Sequence, residues 1–303
     1  MANISITPGS IARTADAIPK RPNPVWLFIR TQPLGFAGLI VILAYLAAAV
    51  GAQWIAPYDP EAIDFTAMLT PPNSEHWLGT DQFGRDVFSR IVYGARTALA
   101  VGILSSLFGC TLGAIIGAAS GYWGGRIDTM IQRVVDVMLS FPIIVLAMVV
   151  VAVLGKRPLL GVDMNLVAAI ALPFIPKMAR IARSSTLSIA QMPYIDAARA
   201  AGYGDGRIIM RHILPNIVAP YLIMTTAFIA QAILLEASLS FLGLGVTEPT
   251  PAWGLMLSGA SADFYKSAPW MILFPGLAIT LAVFAFNMFG DSLRDWLDPK
   301  MRS

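Results

Sequence analysis

The side chains able to do chemistry are few in this 303-residue chain, and they lie far apart. It has two histidines, His76 and His212, and one cysteine, Cys110. A zinc site needs several such ligands at close spacing, so no metal site is expected. A single cysteine also excludes an internal disulfide. Intramembrane hydrolysis would need a serine and a histidine together at depth. His76 and His212 fall at opposite margins of the apolar runs, so Ser240 has no base beside it. No G-x-x-x-x-G-K-[ST] loop occurs. The only Gly-Lys pair, Gly155-Lys156, is followed by Arg157 and has Val150 where the first glycine belongs. The chain is therefore expected neither to hold ATP nor to catalyse.

Carboxylates offer a different chemistry. A proton-driven transporter needs several acids or histidines at mid-depth, and only Glu236 comes near. Counted from the start of its apolar run, Glu236 sits about 34 Å along a helix. It is expected close to the outer surface, either as an interfacial group or lining the mouth of a pathway. Gln231, Ser238 and Ser240 are pathway candidates with it. Gly79, Asp81, Gly84, Arg85 and Asp86 form a charged, glycine-containing cluster. It reads either as a turn held by exposed ion pairs, worth about 0–1 kcal/mol each, or as a contact for a charged binding protein. Arg133 and Asp136 read as a pair reaching for the inner surface.

These residues must be positioned by elements suited to lipid. Hydrophobic residues make up 56% of the chain and charged residues 13%, against about 25% charged in soluble domains. That excludes disorder and leaves too little charge to cover a soluble surface. A net charge of +3 gives no case for nucleic acid. A spanning helix needs about 20 apolar residues. Charge-free runs cover 34–56, 97–125, 137–155, 213–235 and 267–290. A sixth span starts after Asp163 and needs Lys177, Arg180 and Arg183 to snorkel. Six spans place 15 Lys and Arg residues on the N-terminal side and 6 on the other. Five spans with the N-terminus outside divide them 14 to 7, so the positive-inside rule puts the 184–212 loop in the cytoplasm on either count, and with six spans it puts both termini there and the 57–96 loop outside. Gly109, Gly113, Gly117 and Gly121 repeat at a spacing of four, on one face of the second span. That favours close helix packing.

The inner loop 191–216 reads QMPYIDAARAAGYGDGRIIMRHILPN. Tyr194 to Ala201 is alanine-rich and predicts a helix. Gly202, Gly204 and Gly206 predict a turn, and Arg207 to Leu214 a second helix. Such an elbow can dock into a partner and pass a displacement into the membrane. It can equally lie as an amphipathic helix on anionic lipid.

Asp196-Ala197-Ala198, Gly202 and His212-Ile213-Leu214-Pro215 resemble the EAA signature of bacterial ABC importer permeases. Asp stands here for the signature's Glu, and His212 for its isoleucine. His76 to Asp86 resembles the LGTDxxGRD motif of the dipeptide, oligopeptide and nickel branch. Gly121-Tyr122-Trp123-Gly124-Gly125, Glu236 to Gly245, and Phe286 to Pro299 match further runs of that branch. The resemblance covers roughly residues 30 to 300 and is to the C-type permease.

The resemblance implies an all-α, polytopic fold of six helices, the type I importer permease. It implies division into a cytoplasmic tail, 1–33; a first span and external loop, 34–96; a permease core, 97–293, carrying the coupling loop 184–215; and a tail, 294–303. It assigns Tyr194, Asp196, Ala197, Ala198, Gly202, Arg207, Arg211, His212, Ile213, Leu214 and Pro215 to coupling with an ATPase. The implied partners are a homologous B-type permease, two cytoplasmic ATPase subunits holding ATP and Mg, an external solute-binding protein, and the inner-membrane bilayer. The implied cargo is a di- or oligopeptide, with nickel and glutathione as alternatives.

Overall fold

In the computed structural model, residues 24–155, 157–159, 162–259 and 263–297 are described. The tail before residue 24 and the Asp298-Pro299 end of the C-terminal motif lie outside them. A short helix, α1 (Pro24–Thr31), leads into α2 (Pro33–Ile55). A 57–86 loop follows, then α3 (Val87–Trp123). Next come α4 (Gly125–Leu139), α5 (Ile143–Leu154), α6 (Met164–Ala171) and α7 (Phe174–Ala190). A two-residue hairpin of β1 (Pro158–Leu159) and β2 (Val162–Asp163) joins α5 to α6. The loop after α7 carries α8 (Pro193–Ala200), α9 (Asp205–Ile208), a π-helical turn (Ile209–Ile213) and α10 (Leu214–Asn216). The last described elements are α11 (Val218–Phe241), the one-turn α12 (Trp253–Met256) and α13 (Trp270–Leu297).

Among the described residues, α2, α3, α11 and α13 are long and apolar enough to cross a membrane. The number is six if each bent pair, α4 with α5 and α6 with α7, is one span. The expected third span, 137–155, is corrected: the chain turns by 92° between α4 and α5. Ser140-Phe141-Pro142 breaks the helix there, because proline cannot continue the hydrogen-bond ladder. Pro173 sits at the 44° bend between α6 and α7. Helix α3 is also longer than its apolar run. Its 37 residues rise about 55 Å, so it overshoots a hydrocarbon core of about 30 Å. Asp86 caps it, accepting from the Ser89 N–H at 2.7 Å.

Helix α3 is the central strut. Its first half packs with α2, α11, α13 and Trp253 in one apolar core. Its second half packs with α6, α7 and the 191–216 loop in another. The glycine ridge explains the second contact. A Cβ on Gly109 would lie 2.8 Å from the Ala171 carbonyl oxygen, and one on Gly121 2.9 Å from that of Arg183. On Gly113 it would meet Ile175 O at 2.5 Å, and on Gly117 it would overlap Ala179 O. All four glycines therefore face the α6–α7 segment, where small residues let two backbones touch.

The expected Arg133–Asp136 pair is also corrected. Asp136 pairs with Arg180, and Asp128 accepts Arg183 Nε and Nη2 at 2.5 Å each. These two bridges join α4 to α7, which leaves Arg180 and Arg183 paired rather than snorkelling alone.

Candidate functional site

The 191–216 loop lies at the Trp123 end of α3. The Tyr122 hydroxyl donates to Asp205 at 2.8 Å, and the Arg199 guanidinium lies 5.6 Å from the Tyr122 ring centre. Ile195, Ala198, Ile208 and Ile213 are buried and belong to the α6–α7 core. They root the elbow in the bundle. Tyr194, Asp196, Ala197, Gly202, Arg207, Arg211 and Pro215 are exposed. Asp196 pairs with Arg199 at 3.3 Å. Exposed Ala197, Ala200, Ala201 and Gly202 together present a surface with almost no side chain.

The bend is closed by two hydrogen bonds. Gly202 N–H donates to Arg199 O at 2.9 Å, and Tyr203 N–H donates to Ala198 O at 3.1 Å. This is the Schellman pattern, which places the residue after the helix cap in the left-handed region. That residue is Gly202, at φ +80. A side chain would find open space there but a strained backbone.

Beyond the bend the expected second helix, 207–214, is present but is not uniformly α. Its middle is the π turn Ile209–Ile213, a widening often found at functional sites. His212 is brought between Tyr203, with ring centres 6.3 Å apart, and Tyr194, at 6.2 Å. Arg207 also packs on Tyr203, its guanidinium 4.3 Å from that ring's centroid. The ladder Arg207–Tyr203–His212–Tyr194 stiffens the elbow. Tyr203 was not a candidate from sequence; its position one residue past a helix-ending glycine was the available signal.

At the other end of α3, the Gly79–Asp86 cluster is folded inward. Asp81, Arg85 and Asp86 are buried, which corrects the expectation of an exposed turn. Asp81 accepts from the Phe83 and Arg85 N–H groups at 2.8 and 3.0 Å, and from Arg85 Nε at 2.7 Å. Gly79 and Gly84 turn the chain at φ +76 and +72. Asp86 bonds His76 Nδ1 at 3.0 Å. Arg90 and Glu248 complete the cluster and had not been candidates. Glu248 meets Arg85 at 2.5 Å and Arg90 at 3.5 Å. Burial works against the Arg85 charge, but the bonds to Glu248 and the Asp81 charge outweigh it, so its pKa lies above the ordinary arginine value. Nearby, the Thr66 hydroxyl and N–H hold the exposed Asp64 carboxyl below the usual range. Glu248 is the only acid between Glu236 and Asp263, which was its one visible signal.

Helix α11 separates the pathway candidates. Glu236 lies in the last turns of α11, is 1% exposed, and accepts the Ser240 hydroxyl at 2.7 Å. Ser240 in turn accepts the Val246 N–H at 3.1 Å. Both side chains face into the bundle and fasten the turn after the helix. Gln231 and Ser238 lie on another face, with exposed Leu234 and Phe241. Among the described residues, no group of three or more His, Cys, Asp or Glu side chains could hold a metal ion.

Comparison with known proteins agrees with this architecture. Residues 109–303 match the family model described as binding-protein-dependent transport system inner membrane component. Residues 24–72 match the N-terminal TM domain of oligopeptide transport permease C. The chain is similar to the dipeptide transport system permease protein DppC of Alkalihalophilus pseudofirmus, at 45% identity over 91% of this chain and 88% of the relative. It is equally similar to the glutathione transport system permease protein GsiD of Pectobacterium atrosepticum, at 45% identity over 91% and 90%. A peptide permease of Brucella suis is 44% identical over 88% and 87%. In fold, it resembles the inward-facing MetNI methionine ABC transporter, with TM-score 0.54 and 17% identity over 70% of this chain and 98% of that one. With its helices apolar and its buried carboxylates tied to structural partners, the chain belongs to the binding-protein-dependent inner-membrane components, the multi-pass permease subunits of ABC importers.

Proposed function

We propose that this chain forms half of the translocation pathway of an ATP-driven peptide importer, beside a homologous B-type permease. Both termini and the 191–216 loop face the cytoplasm, and the 57–86 loop faces the solute-binding protein. The names of its relatives support this cargo class: dipeptide, peptide, and glutathione, itself a tripeptide. ATP and Mg are held by two ATPase subunits, and this chain binds neither.

The observation that carries the reading is the elbow. Helix α8 shows small residues outward while Ile195 and Ala198 anchor it in the core of α6 and α7. A partner can approach the exposed backbone closely, and any push on α8 is delivered to the bundle. ATP-driven closure of the ATPase pair then moves two packed arrangements against each other, which is alternating access through a two-state element.

The test is reconstitution in proteoliposomes with the B-type permease, the ATPases and the binding protein. Ala197→Trp fills the docking surface without touching the core. Peptide uptake and peptide-stimulated ATPase activity are expected to fall together while the subunit still inserts. Full coupled activity in the variant, or uptake by the isolated chain, would overturn the proposal.

A further inference from the structure

We infer that Lys177 and Gln231 form a mid-membrane subsite for the carboxylate of the transported peptide. Lys177 stands midway along the 164–190 segment and Gln231 midway along α11. The two side chains meet, with Lys177 Nζ donating to Gln231 Oε1 at 3.4 Å. Both residues thus stand at the middle of their elements, Lys177 about 20 Å from either end of the 164–190 segment and Gln231 about 20 and 15 Å from the two ends of α11.

No carboxylate of the described residues answers this ammonium. Among the described residues, every ion pair uses other cations, and none involves Lys177. Glu236 is committed to Ser240 and lies five residues on, roughly 140° around the helix. The remaining neighbour is the Phe228 ring, 5.9 Å from Nζ, and that ring is fixed by stacking on Phe174 at 4.6 Å. An amide oxygen and a ring face orient an ammonium but do not neutralise it. Arg180 and Arg183, one and two turns further along α7, each have an acid.

An intramembrane cation with only neutral partners marks a water-filled path or a site for an anion. Lys177 and Gln231 are both partly exposed. They continue a stripe of α11 that runs through Leu234, Ser238 and Phe241. A peptide carries one carboxylate that any sequence shares, and an ammonium with a side-chain amide suits it through charge-assisted hydrogen bonds. The amide's NH2 group remains available once its oxygen has accepted from Lys177.

This inference rests on the proposed import of peptides, and the experiment keeps the two apart. The complete reconstituted importer is compared with Lys177→Gln and Lys177→Arg, using trialanine and trialanine amide at saturating concentration. Taking the variant-to-parent ratio for each peptide removes any preference of the binding protein. Lys177→Gln is expected to slow trialanine uptake about tenfold and to leave amide uptake nearly unchanged, as one lost charge-assisted contact would. Lys177→Arg is expected to retain most uptake. Equal slowing of both peptides would overturn the inference and point to an acid of the sister permease as the partner. An unaffected Lys177→Gln would overturn it too. If the parent complex takes up neither peptide, the peptide-import reading fails instead.

A second readout is direct. In a Cys110→Ala background, Lys177→Cys is expected to react with the water-soluble reagent 2-aminoethyl methanethiosulfonate, regaining a positive charge and trialanine uptake. The negatively charged sulfonatoethyl reagent is expected not to restore it. No reaction with either reagent would place the side chain away from water and overturn the subsite.

Discussion

The Arg85 guanidinium and the Glu248 carboxylate meet across 163 positions of sequence, Nη1 to Oε2 at 2.5 Å and Nη2 to Oε1 at 3.3 Å. This two-pronged pair pins the loop after α11 to the loop before α3. Arg90, almost fully buried, shares the same carboxylate and also donates to Pro60 O at 3.0 Å. One acid thus ties both loops together at this end of the bundle.

Glu248→Gln leaves Arg85 with Asp81 and weakens the hold on Arg90. Removing one partner of a buried charge is costly, but the Glu248 side chain is 45% exposed, and water offsets part of the loss. We expect destabilisation of about 1–2 kcal/mol. Thermal unfolding of the purified complex checks it, and an unchanged midpoint would refute the clamp.

Gly117→Val should be far worse than an ordinary glycine change. The new Cβ meets the Ala179 backbone, which cannot rotate away. Overpacking of this kind costs about 1–3 kcal/mol or more, well above the gain of about 0.3 kcal/mol in helix propensity from glycine to valine. Loss of the monodisperse peak in detergent chromatography is expected. A well-behaved Gly117→Val protein would mean that α3 and α7 do not touch there.

Gly202→Ala and Gly206→Ala separate backbone strain from crowding. Both sites have open space for a methyl, but only Gly202 sits at positive φ. The first is expected to cost about 1–2 kcal/mol at the elbow and to reduce peptide-stimulated ATPase activity. The second is expected to stay within about 0.5 kcal/mol. Matching losses at the two positions would argue against the Schellman bend.

The two α4–α7 bridges should differ in strength. Asp128 and Arg183 side chains are 14% and 31% exposed, whereas Asp136 and Arg180 are 52% and 56% exposed. A double-mutant cycle to alanine is expected to give a coupling of about 1–2 kcal/mol for the first pair. The second should give about 0–1 kcal/mol. Equal couplings would show that burial does not distinguish them.

Much of the fold was written in hydropathy. The run at 34–56 matches α2 to within one residue at each end, and the run at 97–125 covers all but the first ten residues of α3, because a charge-free stretch of that length has few alternatives in lipid. The helix–bend–helix of 193–216 was equally legible, since alanine, glycine and proline act locally through backbone preference. The 92° break at Ser140-Phe141-Pro142 was not. An apolar run says how many residues prefer lipid but not whether they stay collinear.

What tertiary structure alone decided was pairing. Sequence marks Asp81, Arg85 and Glu236 as charges in unusual places, yet it does not say that Glu248 closes the first cluster or that Ser240 holds the last. Nor does it tell that Lys177 comes to Gln231 while its neighbours Arg180 and Arg183 go to acids on α4. Local composition fixes the elements because propensity and lipid preference act on each residue where it stands. Electrostatic partners depend on distances across the bundle, which only the packed helices set.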